Sequence, residues 1–131
     1  MDSPAAVARQ YVDAVSAKDF ATVTTLYADN IVWHQPGANR FSGTLHGPDA
    51  VNAMIGAMMT ISQGTFELAV TGAPMVNGDQ VAVPVHFSGR RDGVTLGQDG
   101  IDVLRIQDGR IVEVRLFSSA QEDEDTFWGT E

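Results

Sequence analysis

The chain contains no cysteine. Disulfides are excluded, and with them any chemistry that starts from a thiolate. Positive charge is scarce: Lys and Arg total 8 against 17 Asp and Glu, giving a net charge of −9 and a pI near 4.5. That field repels phosphate backbones and anionic bilayers, so neither nucleic acid nor a membrane is an expected partner. Long apolar runs are missing as well. None approaches the ~20 residues that span a bilayer. No basic-then-apolar leader opens the chain, so a cytoplasmic location is the expectation. His34, His46 and His86 stand at no metal-ligand spacing. Gly43, Gly47 and Gly56 do not form a phosphate-cradling loop after a strand. Neither a metal nor another cofactor is expected. What is present is 131 residues, 44% of them hydrophobic. This is a globular composition, at a length from which one domain builds a substantial core.

Ser3-Pro4 reads as a helix start, a hydroxyl cap followed by proline at the first helical position. Val7, Tyr11, Val12 and Val15 then recur at helical spacing, up to a stop near Ala17-Lys18. Asp19 can cap a second helix bearing Phe20, Val23, Leu26 and Tyr27. A polar break at Asp29-Asn30 precedes a short strand, 31–35, that stops at Pro36-Gly37. Residues 36–48 form a loop or a ragged hairpin. Pro48-Asp49 opens a third helix with Val51, Met54, Ile55 and Met58 inward. From Gly64 the period changes to two. Phe66, Leu68 and Val70 alternate with polar neighbours, as do Val81, Val83, Val85 and Phe87 beyond the turn signal Asn77-Gly78-Asp79. Arg91-Asp92-Gly93 marks another turn. Gly100–Gln107 and Ile111–Ser118 read as two more strands, joined at Asp108-Gly109-Arg110. Residues 122–125 read as a solvated acidic tail, with Phe127 and Trp128 folding back over a cavity mouth or onto a partner subunit. Three helices followed by a four-stranded meander predict an α+β fold with a mainly antiparallel sheet.

This order resembles the nuclear transport factor 2-like superfamily, in its SnoaL-like and ketosteroid-isomerase-like branches. The residues that carry the likeness begin with Ala17-Lys18-Asp19-Phe20 and Leu26-Tyr27-Ala28-Asp29-Asn30. Trp33-His34-Gln35-Pro36-Gly37 follows, with Ser42-Gly43 and Gly47. Ile101-Asp102-Val103-Leu104-Arg105-Ile106 and Asp108-Gly109-Arg110-Ile111 complete the set. The resemblance implies a curved sheet wrapped on three N-terminal helices as a cone, with a deep apolar pocket and a homodimer. It also implies where catalytic groups would stand. Steroid isomerisation needs a carboxylate base and two oxyanion donors, a tyrosine and a protonated aspartic acid. The acid position is held by Asp102. The base position is Gln35, an amide that cannot take a proton usefully. The tyrosine position is Val12, with Tyr11 one residue away. Standard ketosteroid isomerisation is therefore rejected unless His34 serves as base. The epoxide-hydrolase branch needs an Asp–Arg–Asp relay, and Leu116 stands where a carboxylate is required.

Alternation puts Asp102 on the face of Leu104 and Ile106, where loss of hydration should raise its pKa. The plainer alternative is a strand aspartate paired with Arg105 or Arg115. Trp33 and Gln35 share one strand face and His34 takes the other, although twist beside Pro36 can reorient it. Asp102 and His34 are the catalytic candidates. Trp33, Gln35, Tyr11, Val12, Met54, Met58, Val114, Leu116 and Ser118 are the substrate-binding candidates. Val112 is expected on the same inner face as the last three, with Glu113 and Arg115 outward. The expected ligand is a small hydrophobic carbonyl or polyketide-like molecule. The expected chemistry is metal-free isomerisation, aldol cyclisation or dehydration. The alternatives are a non-catalytic carrier of a hydrophobic metabolite and a dimerisation module with a filled cone.

Overall fold

The computed structural model describes residues 2–130. Helix α1 spans Pro4–Ser16, α2 Phe20–Leu26, α3 Pro48–Ile61 and α4 Gln121–Trp128. The strands are β1 Tyr27–Gln35, β2 Gly43–His46, β3 Glu67–Val70, β4 Met75–Asn77, β5 Gln80–Arg91, β6 Val94–Gln107 and β7 Arg110–Ser118. They form one curved, unclosed sheet in the order β2-β1-β7-β6-β5-β3, with β4 also on β5. Every pairing is antiparallel except β1 with β7. The result is the expected α+β architecture.

Local chemistry sets the element ends. The Ser3 side chain accepts from the Ala6 amide at 3.2 Å, and that of Asp19 from the Thr22 amide at 3.2 Å, so both predicted caps form. Lys18, with φ 56°, takes the left-handed position that ends α1. Arg91 pairs with Val94, and Gln107 with Arg110, around Asp92-Gly93 and Asp108-Gly109. All four turn residues have positive φ, the primed-turn geometry that suits the sheet's right-handed twist.

Two boundaries differ from the sequence reading, the starts of β1 and β6. The chain turns into β1 at Tyr27, so Asp29-Asn30 lies inside the strand rather than breaking it. Both are exposed, where pairing with β7 slips from Tyr27–Ile111 to Val32–Glu113. The 36–48 excursion contains β2, so its hairpin version holds. Strand β6 starts at Val94, not Gly100, because the Asp92-Gly93 turn lets β5 and β6 pair along their length. Gly100 is no break: a Cβ there would come within 3.0 Å of the Phe87 ring and 2.6 Å of the Phe117 carbonyl.

The largest correction concerns residues 122–125, which belong to helix α4 instead of a solvated tail, while Phe127 and Trp128 fold back as expected, onto this same chain. Glu122, Asp123 and Glu124 occupy its first turn, where the helix dipole favours negative charge. Trp128 is fully buried against Phe41, Phe66 and Phe127, with ring centroids 4.9–5.4 Å apart. The Gln98 side chain clasps Ala120 through two 2.9 Å bonds, and Asn39 donates to Asp125 at 2.8 Å. The helix therefore closes one end of the cone within the same chain.

Candidate functional site

Between α1, α2, α3 and the concave sheet face lies a cavity of about 100 Å³. Its helical wall includes Phe20, Val23, Met54, Ile55, Met58 and Met59, and its opposite wall includes Phe66, just before β3, and Leu68, Phe87 and Leu116 of the sheet. The methionines make that wall deformable.

Asp102 enters this apolar space from the middle of β6, between Val83 and Leu116 on the flanking strands. It is 6% exposed, and Leu104 and Ile106 follow it on the same buried face. Neither Arg105 nor Arg115 reaches it; both bind Glu113 instead. Among the described residues no donor bonds its carboxyl. Burial, and second the charge of Glu124, push its pKa up to about 7.

Glu124, from α4, lines the same cavity and is 4% exposed. Its Oε1 accepts from Ser118 Oγ at 2.8 Å and Gln121 Nε2 at 3.1 Å, and its Oε2 from Trp128 Nε1 at 3.4 Å. Burial raises its pKa against the pull of these donors.

Two phenols complete the polar set. Burial drives the Tyr11 pKa well above its ordinary value, helped by Tyr27 and Asp102 nearby. Burial raises Tyr27 too; Tyr11 pulls against that rise, although the Tyr27 hydroxyl has no partner in hydrogen-bonding geometry. Both phenols stay protonated and can donate. Trp33 Nε1 donates to Gln35 Oε1 at 2.9 Å, and both side chains line the cavity. The Gln35 oxygen is thus engaged by the indole N–H.

Residues 8–114 match the SnoaL-like domain model. The chain belongs to the SnoaL-like family. Its structure superposes on that of a Xanthomonas campestris protein of unknown function with a cystatin-like fold, at TM-score 0.93 and 46% identity, covering 98% of this chain and 99% of that one. Bal32a, from a soil-derived mobile gene cassette, gives TM-score 0.89 and 26% identity over 95% of each chain. A Mesorhizobium loti protein provisionally assigned as a SnoaL-like polyketide cyclase gives 0.72 and 23%, over 88% of this chain and 99% of that one. No curated protein matches the chain.

Within this SnoaL-like domain most of the candidates from the sequence converge. Asp102, Trp33, Gln35, Tyr11, Met54, Met58, Leu116 and Ser118 all border the cavity. Three others do not. His34 points to the opposite sheet face, where its Nε2 lies 2.8 Å from Glu113 Oε2. Pairing with Thr44 and Arg115 on either side holds β1 in strict alternation up to Pro36, so no local twist brings the ring inward. Val12 sits one helical step from Tyr11, about 100° around α1, and faces a separate groove against β3. Val114 is fully buried and packs in the core without bordering the cavity. Nor is Val112 an inner residue. Arg105 pairs with Glu113 but Ile106 with Ile111, so Val112 is the extra residue of a bulge, and Ile111 takes the inner place.

Glu124 is the residue that sequence reasoning missed. One signal was available: Phe127 and Trp128 stand three and four residues after it. If those aromatics dock, a helix must carry Glu124 inward on the same face.

Proposed function

We propose that this SnoaL-like domain acts on a small hydrophobic carbonyl compound, in the manner of an isomerase or polyketide cyclase, by stabilising an enolate. The observation that carries this reading is Asp102, a carboxyl buried in a mostly apolar cavity with no cation paired to it among the described residues. A buried acid in this setting costs least when protonated, and a protonated acid donates a strong hydrogen bond to an oxygen on which charge develops. Tyr11 supplies a second buried donor beside it. Trp33 and Gln35 orient the ligand, and the methionine wall adapts to its outline. Chemistry of this kind calls for charge stabilisation at one oxygen and proton transfer at carbon. Aldol cyclisation is the leading case.

The second reading is a carrier of a hydrophobic metabolite that performs no reaction. Gln35 at the expected base position favours it. Pairing of two copies belongs to the same proposal and draws on the apolar side chains left in solvent, among them Phe117 at 55% exposure. Sedimentation of a monomer at micromolar concentration would contradict it.

The test of the enolate reading uses 4-nitrophenol, whose phenolate mimics an enolate and absorbs in the visible. The expected result is saturable binding that weakens ~10- to 100-fold in Asp102→Ala, the loss set by a hydrogen bond to a charged oxygen. Equal binding by the variant, or none by the wild type, would contradict it.

A further inference from the structure

We infer that Glu124 is the proton acceptor of this cavity, working opposite a protonated Asp102 on a ketone with an acidic α-hydrogen. The inference rests on the enolate reading above and supplies the base that Gln35 cannot be.

The titratable groups bordering the cavity are Tyr11 from α1, Lys18 at its end, Tyr27 from β1, Asp102 from β6 and Glu124 from α4. Lys18 is committed outward, donating to the Gly64 carbonyl at 3.1 Å and lying 3.8 Å from Glu67. The phenols are too weakly acidic to serve as anions near neutrality. Two carboxyls are left, in one apolar space and close enough for the charge of one to oppose ionisation of the other. They cannot both ionise cheaply. Which one keeps the proton is decided by their partners. Glu124 receives three donors, from Ser118, Gln121 and Trp128. Asp102 receives none among the described residues. A carboxylate charge is stabilised by donors, so Glu124 ionises first and Asp102 stays an acid. Asp125, the next residue of α4, turns to Asn39 and Gln121 and does not compete for the cavity.

The step balances within these groups. The Glu124 carboxylate takes the α-hydrogen as a proton. The C–H electron pair becomes the enolate C=C bond, and the carbonyl π pair moves to oxygen. The Asp102 O–H donates a hydrogen bond to that oxygen. Where the ketone carries a β,γ-double bond, the enolate is a dienolate; Glu124 then returns the proton to the γ-carbon, the α,β-double bond forms, and the product is the conjugated isomer. In a cyclisation, the enolate carbon bonds instead to a second carbonyl carbon of the same molecule, and the alkoxide so formed takes the proton.

The plain alternative is that Glu124 only ties α4 to β7 through Ser118. A test must therefore read more than folding. The probe is cyclohexanone in deuterium oxide, with α-deuterium uptake followed by NMR from pH 4 to 9. The expected wild-type profile rises as Glu124 ionises and falls as Asp102 does. Glu124→Gln keeps an acceptor for Ser118, and it should lose about 100-fold of the exchange rate while still binding 4-nitrophenol. Exchange within twofold of wild type, with the low-pH limb intact, would overturn the base and leave the enolate reading standing. Wild type that binds 4-nitrophenol without exchanging cyclohexanone would overturn the base in favour of the carrier. Wild type that does neither would overturn both. If the variant misfolds, carboxyl-carbon NMR of the wild type decides: Glu124 must lose its proton at lower pH than Asp102, and the reverse order overturns the assignment.

Discussion

Strands β6 and β7 carry acids on or beside both faces, and the two sets occupy opposite physical settings. On the outer face Glu113 meets His34 at 2.8 Å, Arg115 at 3.3 Å and Arg105 at 3.4 Å, while Asp79 meets Arg105 at 3.2 Å and Gln107 at 3.1 Å. The hydrogen bond from His34, above all, holds Glu113 below the ordinary carboxylate range; that from Gln107 does the same for Asp79. On the inner face Asp102 and Glu124 pair with no cation among the described residues, and burial drives both upward. Asp102 and Arg105 lie only three positions apart on β6. Strand alternation turns Arg105 to the outer ion network and Asp102 to the buried face, where α4 adds Glu124. Electrostatic pairing is thus spent where water already weakens it, and withheld where an unpaired acid has chemical use.

The most drastic way to break this contrast is to let water into the inner set. Trp128→Ala removes the aromatic that seats α4, and should destabilise the protein by ~3–5 kcal/mol in urea unfolding. In the variant that still folds, Asp102 should return toward an ordinary carboxylate pKa. Unfolding within 1 kcal/mol of wild type, at roughly the precision of the method, would mean that α4 does not seal the cavity.

A smaller effect separates the faces by pH. Asp102 has a folded pKa of about 7 against an ordinary 3.8. The folded state therefore holds a proton that the unfolded chain has released. Stability falls as pH rises through that window and reaches its floor above pH ~7. At about 1.4 kcal/mol per pH unit, the loss is on the order of 4–5 kcal/mol. Asp102→Asn should flatten the curve between pH ~4 and ~8, read from urea midpoints. The outer acids have the opposite sign: with pKa values held down, their contribution is present above the unfolded pKa and fades as pH drops through the folded one.

The smallest effect comes from the outer network itself. Glu113→Gln should cost about 1 kcal/mol or less, because the network is only half-buried and its charges are screened by solvent. It should leave 4-nitrophenol binding unchanged. A large loss of binding in that variant would erase the distinction between the faces and return His34 to the site.

Much of this arrangement was legible in the residues. Period-two alternation placed Asp102 inward, and Ser3, Asp19, Asp92-Gly93 and Asp108-Gly109 marked real caps and turns. Local rules failed where tertiary pairing decides. The bulge at Val112 depends on the register of β7 against β6, which no spacing within β7 reveals. His34 stays on the outer face where alternation alone put it; what fails is the allowance for twist beside Pro36, because β1 is paired on both edges up to its end. Residues 122–125 look like a charged tail, and join a helix only because the cone offers Trp128 and Phe127 a seat. With that helix came Glu124, the acid that changes the site from one buried carboxyl to two.

The most direct measurement is a carboxyl-carbon NMR titration of Asp102 in the intact protein. The account predicts a midpoint near pH 7, and a lower one in Glu124→Gln, where the neighbouring negative charge is gone. A midpoint near 4, the ordinary value for an exposed aspartate, would contradict it.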